Sequence, residues 1–516
     1  MGSRGAIAAG HRLTAEAGGQ VLREGGNAVD AAVCAALASF AVESPLTGLG
    51  AGGFMLVHTA DEDVLHDFFV EVPGREGGER SAELVPIPVL FDETPQIFNI
   101  GAAACGVPGT AAGLAEALRR FGSMPMADLI GPAVACARDG VAISAEQAYL
   151  LKILDPILTA YPEGRALYAP AGRILREGET FRFPDLADAL ERYAAEGPRP
   201  FYRGEIAEAI AAWVTERGGT LGTEDLAAYE PIAREPVRAE FRGRDVLTNP
   251  PPSSGGSLIA MCLALLERLG ETGVEQVVAT MAEANRARTE EFHAGLYEEG
   301  YAERFLAPER LDALADRISS GKGGSDGVAH GGRLGSTTHI TAVDADGRCA
   351  AVTCSNGTGS GMLVPGTGVH VNNMLGEEDL NPLGFHALGP GTRMTSMMAP
   401  SVVLRDGELE AGLGSGGSNR IRSAILQVIL RLVVDGLPAQ EAVDAGRVHY
   451  EEGVVHAEPG VDADALARLG RREFSVATWR RRNLFFGGVH AVARDPASGE
   501  LRGGGDPRRG GAVVVL

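Results

Sequence analysis

A glycine-rich stretch at residues 319–336 divides this chain. The sequence there reads SSGKGGSDGVAHGGRLGS, which offers almost no aliphatic side chain to bury and is typical of a mobile connector. Directly behind it, residues 338–344 alternate in polarity, Asp346-Gly347 can form a turn, and residues 349–355 return, which predicts a β-hairpin. We therefore expect two regions: residues 1–336, ending in the connector, and residues 337–516, beginning with a strand.

The charge balance and the apolar runs exclude several functions. The chain has 46 Lys plus Arg against 68 Asp plus Glu, a net charge of −22, so nucleic acid is not expected as a partner. Its longest apolar run, residues 31–42, is too short to span a bilayer. The first residues lack the apolar core of a secretion signal, so we expect a cytoplasmic protein, or a secreted one if the N-terminus is truncated. The six cysteines lack the paired spacing of zinc sites, and no metal is expected.

Helical and extended segments alternate without the regular rhythm of a parallel sheet. Asn27 is placed to cap an alanine-rich helix over residues 28–44, which follows a helix beginning near Thr14. Further helices are predicted at residues 109–121, 126–139, 144–153, 184–196, 204–217, 257–269 and 275–299. Extended segments are predicted at residues 53–59, 64–70, 236–248, 338–344, 349–355, 400–405 and 408–413. This order favours an α+β fold, with a sheet flanked by helices, over a doubly wound one.

The residues Ser336-Thr337-Thr338-His339 stand at the junction of connector and strand. If the peptide bond before Thr337 is cut, the new α-amine, with an ordinary pKa of about 7.7–8.0, can accept the proton of the threonine hydroxyl. One residue then supplies both nucleophile and base. A Thr-Thr pair opening an edge strand is also an ordinary structural feature.

Two further segments can hold polar groups near a reacting centre. Gly414-Ser415-Gly416-Gly417-Ser418 lies between a predicted strand and a predicted helix, where its backbone N–H groups could face an oxyanion or simply form a tight turn. The hydroxyls of Thr395 and Ser396 precede another predicted strand. The glycine pattern at residues 48–53 lacks the preceding strand and following helix of a dinucleotide site. The pattern at residues 323–327 lacks the hydrophobic strand that precedes the nucleophile elbow of α/β-hydrolases.

The chain resembles the gamma-glutamyltranspeptidases, a family of N-terminal-nucleophile hydrolases, in many separate stretches that occur in family order. These are VLREGGNAVDAAV (21–33), GLGAGGFMLV (48–57), GVPGTAAGLAEAL (106–118), PAVACARDGVAI (132–143), NPPPSSGG (249–256), STTHITAVDADG (336–347), NNMLGEEDLNP (372–382), GSGGSNRI (414–421) and GGGDPRRGG (503–511).

The resemblance implies a four-layer αββα sandwich, made as a precursor that cuts itself between Ser336 and Thr337 into a heterodimer of two fragments, with further oligomerisation left open. It implies an acyl-enzyme on the threonine, formed from a γ-glutamyl amide and passed to water, an amino acid or a peptide, with no cofactor. The residues it implies are Thr337 as nucleophile, Ser355 as the hydroxyl beside it, Gly416 and Gly417 as the oxyanion hole, and Thr395, Ser396, Asn373, Glu377, Glu378 and Asp379 as the substrate contacts.

The chain departs from the family where substrate is recognised. The family's Asp-Phe-Arg-Glu, whose arginine clamps the substrate's α-carboxylate, is replaced by Asp67-Phe68-Phe69-Val70-Glu71. Arg75, Arg393 or Arg420 are the candidates to replace that arginine. The family's Thr-Leu-Asn segment is Ser355-Asn356-Gly357 in this chain.

Three functions remain open at this point. The first is a γ-glutamyl transferase or hydrolase acting on amides such as glutathione. The second is an acylase of the same fold that cleaves a glutaryl-type or other acyl amide. The third is an uncleaved, inactive scaffold or binding protein.

Overall fold

Two antiparallel sheets stack face to face in the computed structural model of the chain, which describes residues 4–77, 80–91, 94–321, 336–471, 474–495 and 497–516. The elements given below are those of these residues. The predicted connector lies almost entirely outside them, as does the pattern at 323–327.

The first sheet has seven strands and carries the predicted hairpin at its centre. Its strands are, in order across the sheet, β22 (Ala512–Val515), β1 (Gly5–Ala9), β11 (Thr338–Asp344), β12 (Cys349–Ser355), β2 (Gly52–His58), β3 (Asp63–Phe68) and β8 (Ile232–Arg234). β11 and β12 have the bounds that the sequence predicts, and β11 pairs with β1 on its other side. The register of β11 is therefore fixed from both edges.

The second sheet has six strands and packs against the first. Its strands are, in order, β21 (Leu501–Gly504), β20 (Gly488–Arg494), β16 (Glu408–Gly416), β15 (Ser401–Arg405), β10 (Arg244–Thr248) and β9 (Val237–Phe241). Thr341 of β11 donates a hydrogen bond to the carbonyl of His490 in β20 at 3.1 Å. A side chain at Gly412 of β16 would stand 2.3 Å from the sulfur of Cys349 in β12, so the sheets approach closely there.

Smaller strands lie outside the two sheets. They are β4 (Val85–Phe91) with β5 (Thr94–Ile100), β6 (Val141–Ala142) with β7 (Thr180–Phe181), β13 (Leu363–Val364) with β14 (Val369–His370), and β17 (Val448–Glu451), β18 (Val454–Ala457) and β19 (Ser475–Thr478) together.

The described residues also form a set of α-helices. They are α1 (Arg12–Arg23), α2 (Ala28–Val42), α3 (Thr110–Phe121), α4 (Met126–Leu129), α5 (Gly131–Asp139), α6 (Ala145–Leu158), α7 (Pro162–Tyr168), α8 (Pro184–Glu196), α9 (Arg199–Arg203), α10 (Glu205–Thr215), α11 (Thr223–Ala228), α12 (Ser254–Leu269), α13 (Val274–Arg286), α14 (Glu290–Gly295), α15 (Tyr301–Phe305), α16 (Pro308–Ser319), α17 (Arg420–Val433), α18 (Ala439–Asp444) and α19 (Ala463–Gly470). α1 and α2 pack on the seven-stranded sheet, and α12 and α17 on the six-stranded sheet. The predicted α+β class and αββα layering are confirmed.

The alanine-rich helix α2 lies wholly in the core. Asn27 caps it as predicted: its side chain accepts from the backbone of Val29 and Asp30, and Asp30 completes a capping box. Every residue of α2 is buried, because small side chains let the helix lie close to both the sheet and α1.

Other sequence expectations need correction. The predicted helix at 126–139 is two helices that meet at Ile130, and the one at 275–299 ends at Arg286 before α14 begins. The segment at 236–248 folds back on itself as β9 and β10, because Gly243 adopts a positive φ at the turn.

Both regions of the chain contribute strands to both sheets. Residues before 337 supply four strands of the first sheet and two of the second, and residues from 337 onward supply the rest. The two regions are thus parts of one folded unit with a shared core, although the sequence alone presents them as consecutive segments.

We predict that Gly18→Ala destabilises the protein. A Cβ at Gly18 in α1 would stand 2.3 Å from the Ile7 side chain and 2.7 Å from the Ala31 carbonyl, so the free energy of unfolding should fall by about 1–3 kcal/mol despite the better helix propensity of alanine. Gly131→Ala is the matched control, since nothing lies within 4 Å of its Cβ position. Equal thermal midpoints for the two variants would contradict the packing described.

Candidate active site

Thr337 lies at the entrance to the central strand β11 and is only 5% exposed. The next residue, Thr338, is paired with Cys354, which brings Thr337 opposite Ser355 at the end of β12. The predicted nucleophile and the predicted neighbouring hydroxyl are therefore brought together by the hairpin register alone.

The Ser355 hydroxyl connects Thr337 to the peptide bond that precedes it. Thr337 Oγ1 donates to Ser355 Oγ at 3.2 Å, and Ser355 Oγ donates to the Ser336 carbonyl oxygen at 2.5 Å. The backbone N–H of Gly357 also donates to Ser355 Oγ, at 2.9 Å, and holds the hydroxyl in place. A hydroxyl donor on a carbonyl oxygen withdraws electron density and favours attack on the carbonyl carbon.

Gly416 allows the six-stranded sheet to reach Thr337. It ends β16, and a Cβ there would stand 2.2 Å from the Thr337 carbonyl oxygen. Gly417 follows with a φ of 130°, a conformation that favours glycine. Arg509 donates to the same Thr337 carbonyl at 3.3 Å. Gly416, the first of the two predicted oxyanion glycines, thus lies beside the backbone of the predicted nucleophile.

A buried carboxylate, which the sequence reasoning missed, supports the next residue. Glu43 at the end of α2 accepts from Thr338 Oγ1 at 2.6 Å and from Thr14 Oγ1 at 2.8 Å. Burial raises the pKa of Glu43, and its hydroxyl donors oppose that rise. The available sequence signal is weak: Glu43 follows an alanine-rich helix whose only other acid is Asp30 in its first turn.

A cavity opens beside Thr337 and Ser355. Its apolar walls are Phe69, Met374, Leu380, Met397, Met398 and Ile421, and its polar lining is Thr337, Ser355, Gly357, Glu377, Asp379, Ser396 and Ser418. Among the predicted substrate contacts, Glu377, Asp379 and Ser396 reach this cavity.

The other predicted contacts lie outside the lining. Glu378 is exposed, because the short helical turn Glu378–Leu380 directs it to the surface. Thr395 is buried, yet it does not line the cavity. Asn373 contacts Glu377 instead of the cavity. Its side-chain amide N–H donates to Glu377 Oε1 at 3.0 Å, and its side-chain carbonyl accepts from the Thr358 backbone N–H at 2.8 Å.

Asp379, which lines the cavity, accepts a hydrogen bond from another lining residue. Ser418 Oγ donates to Asp379 Oδ2 at 2.7 Å. Burial raises the pKa of Asp379, while the nearby guanidinium of Arg288 acts in the other direction.

The three candidate replacements for the family's arginine are engaged elsewhere. Arg393 contacts Glu71 at 3.0 Å and the Phe69 carbonyl at 2.7 Å, and Arg75 contacts Glu71 at 3.3 Å. Arg420 is fully buried, lies 3.7 Å from Glu451 and donates to the Phe485 carbonyl. None of the three lines the cavity.

The fold and the position of Thr337 together define a class of protein. Two stacked antiparallel sheets between helical layers, with a hydroxyl residue at the start of a central strand, are the architecture of the N-terminal-nucleophile hydrolases. Within that class, the family model for gamma-glutamyltranspeptidase matches residues 14–516, and the chain belongs to this family.

The names of the relatives within the family describe more than one activity. The chain is 32% identical to the Acylase ACY 1 proenzyme of Pseudomonas sp. (strain SE83), over 100% of this chain and 94% of that protein. It is 31% identical to the glutathione hydrolase proenzyme of Escherichia coli (strain K12), over 98% of this chain and 90% of that protein. The crystal structure of cephalosporin acylase from Bacillus halodurans superposes with a TM-score of 0.85 at 27% identity, over 99% of this chain and 96% of that one. The chain is thus an enzyme of the transpeptidase and acylase type.

None of the helices in the described residues is long and apolar enough to cross a membrane.

We predict that Glu43→Gln becomes relatively more stable as pH rises. Because the folded pKa of Glu43 is above its ordinary value, the stability that its protonated form contributes is present at low pH and is lost on ionisation. The difference in unfolding free energy between Glu43→Gln and the unmodified protein, measured by urea denaturation, should therefore shift in favour of the variant as pH rises above the ordinary glutamate pKa of about 4.5. Glu216→Gln, at an exposed position, is the control substitution. A Glu43→Gln difference that stays constant as pH rises would contradict the assignment.

Proposed function

We propose that this protein is a self-cleaving threonine amidohydrolase and acyltransferase whose nucleophile is Thr337. The observation that carries the proposal is the Ser355 hydroxyl, which contacts both Thr337 Oγ1 and the Ser336 carbonyl oxygen. The word proenzyme in the names of several relatives adds support.

In the proposed self-cleavage, Thr337 Oγ attacks the Ser336 carbonyl carbon while Ser355 donates to its oxygen. The C–O bond forms, the C–N bond breaks, and the nitrogen takes up the proton that the Thr337 hydroxyl loses, which makes it the α-amine of Thr337. Water then hydrolyses the ester, which leaves a carboxylate on Ser336 and restores the threonine hydroxyl. The products are residues 1–336 and 337–516, and the shared core of the two sheets keeps these fragments together as a heterodimer.

In the proposed catalytic cycle, the freed amine of Thr337 accepts the Oγ proton as Oγ attacks the substrate amide. The backbone N–H groups of Gly416 and Gly417 stabilise the tetrahedral oxyanion, a role typically worth about 2.7–4 kcal/mol for one donor. The amide C–N bond breaks and the protonated amine of Thr337 gives its proton to the leaving group. Water or an acceptor amine then takes the acyl group from the enzyme.

The proposed substrate is a γ-glutamyl amide such as glutathione, or an amide of a related acyl group. Glu377, Asp379 and Ser396 in the cavity support a γ-glutamyl-like acyl group, as does the similarity to glutathione hydrolases. A second candidate is an acylase that accepts a different side-chain amide. The absence of the family's arginine from residues 67–71 favours it, together with the similarity to cephalosporin acylase. An inactive scaffold is disfavoured by the intact arrangement around Thr337.

We predict that Thr337→Ala gives a single chain of about 53.6 kDa with no amidase activity. Alanine has no nucleophile, so neither self-cleavage nor acylation can occur. Denaturing electrophoresis and intact-mass analysis measure the outcome, and Thr337→Ser is the control that should still be cut. Two fragments from Thr337→Ala would refute the role of this residue.

We predict that Ser355→Ala is cut much more slowly, by about tenfold or more, because the Ser336 carbonyl loses its hydroxyl donor. The rate is measured by following the loss of the full-length band after rapid purification. Unchanged processing of Ser355→Ala would show that the contact with the Ser336 carbonyl is not used.

A further inference from the structure

We propose that the amine half of the substrate is a long apolar group with a carboxylate at the end remote from the amide nitrogen, as in an amide of 8-aminooctanoate. This inference rests on the proposed function and identifies the class of amine that the enzyme releases. It follows from a second cavity, which borders Thr337 on the side away from Ser355.

Thr337 lies between two cavities. The cavity described above includes Ser355 of β12, and we call it the β12-side cavity; the second includes Gly10, which follows β1, and is the β1-side cavity. Because β12 and β1 pair with opposite edges of β11, the two cavities extend from Thr337 in different directions. Gly416, a proposed oxyanion donor, also lines the β1-side cavity. An amide held at Thr337 and Gly416 can therefore place its acyl half in one cavity and its amine half in the other.

The β1-side cavity is the larger of the two. Its volume is about 430 Å³, against about 40 Å³ for the β12-side cavity. Cavities of roughly 300–1,000 Å³ typically enclose a whole drug-sized ligand. We therefore assign the bulk of the substrate to its amine half.

Apolar side chains form most of the wall of the β1-side cavity. They are Val42, Ile143, Leu150, Tyr168, Phe181 and Leu484. The Tyr168 ring stacks on Phe181 at 5.4 Å between centroids, and its hydroxyl already contacts Ser44 Oγ at 2.8 Å. Because burying an unpaired polar group is unfavourable, this wall favours methylene or aromatic groups of a ligand.

Guanidinium groups outnumber carboxylates in the same lining. Glu43 accepts from the hydroxyls of Thr14 and Thr338, and Glu146 accepts from the Ser144 hydroxyl at 3.0 Å. The arginines are Arg481, Arg482, Arg508 and Arg509. Burial lowers the pKa of the lining histidines, which are therefore uncharged at neutral pH: His11, His339 and His490. The cavity thus favours an anionic ligand over a cationic one.

Two of the four arginines are held by the protein itself. Arg508 is buried and forms an ion pair with Glu458, which is buried as well. Arg509 donates to the Thr337 carbonyl at 3.3 Å. Drawing either guanidinium towards a ligand would break a contact that the fold already uses.

Arg481 is the arginine best placed to bind a ligand carboxylate. Its neighbour Arg482 lies 4.0 Å from Asp444, whereas Arg481 is exposed and forms no ion pair with the residues that the structure describes. A guanidinium group can bind a carboxylate through two parallel N–H donors. We therefore place the carboxylate of the amine half at Arg481.

The two ends of the β1-side cavity differ in exposure. Thr337 is 5% exposed and Gly416 is buried, whereas Arg481 and Arg482 are exposed. A ligand whose nitrogen reaches Thr337 and whose carboxylate reaches Arg481 must carry these groups at opposite ends of an apolar spacer. An α-amino acid does not meet this requirement, because its nitrogen and its carboxylate are attached to the same carbon.

Four amides test the inference on purified, cleaved enzyme. Their amines are 8-aminooctanoate, its isomer 2-aminooctanoate, octylamine and 1,8-diaminooctane, each joined to a γ-glutamyl group and, in a second series, to a glutaryl group. Mass spectrometry follows the released amine. We expect the amide of 8-aminooctanoate to have the highest kcat/KM in each series that is cleaved, at least tenfold above that of 2-aminooctanoate and fivefold above that of octylamine.

The outcomes separate this inference from the proposed function. If the amide of any other amine in the panel equals or exceeds that of 8-aminooctanoate, the inference is overturned and the proposed function stands. Cleaved enzyme that turns over no amide in either series overturns both.

Arg481→Gln gives a second readout. The ratio of kcat/KM for the amide of 8-aminooctanoate over that of octylamine should fall at least fivefold, mainly through KM, because glutamine removes the positive charge. Arg480→Gln is the matched control, since Arg480 is exposed, precedes Arg481 and does not line the cavity. A ratio that is unchanged in Arg481→Gln, or that falls equally in Arg480→Gln, overturns the role of Arg481.

Discussion

The pairing of β11 with β12 is the constraint on which the candidate site depends. Because Thr338 is opposite Cys354, the residue before β11 and the last residue of β12 face each other, and their hydroxyls meet at 3.2 Å. β1 pairs with the other edge of β11, so a slip of register would disrupt two ladders at once. The geometry around Thr337 is thus a property of the sheet and not of a loose loop.

The surroundings of Thr337 combine groups from distant parts of the chain. Glu43 comes from α2, Gly416 from β16 and Arg509 from the segment before β22, and each contacts Thr337 or Thr338. Since the two sheets share strands from both sides of the proposed cut, breaking the chain before Thr337 leaves these contacts in place. The uncut precursor can therefore fold into both sheets, with their shared core, before the chain is cut in front of Thr337.

The sequence predicts the local features well. The hairpin at 338–344 and 349–355, the Asn27 cap and the helix at 184–196 agree with the structure, because alternation, turn residues and capping residues act over a few positions. The strand β1 is missed, since its five buried residues, four of them glycine or alanine, carry no alternation. The site is predicted in part: Thr337, Ser355, Glu377 and Ser396 follow from the resemblance, whereas Glu43 and the internal pairing of Arg393 depend on contacts between segments far apart in sequence, which no local pattern records.

Self-cleavage, as proposed, makes Thr337 the first residue of a separate chain. N-terminal sequencing and intact-mass analysis of the smaller fragment, from protein purified in active form, test it most directly. We expect a fragment of residues 337–516 that begins Thr-Thr-His-Ile. Active protein consisting only of the uncut chain, or a fragment that begins at another residue, would contradict it.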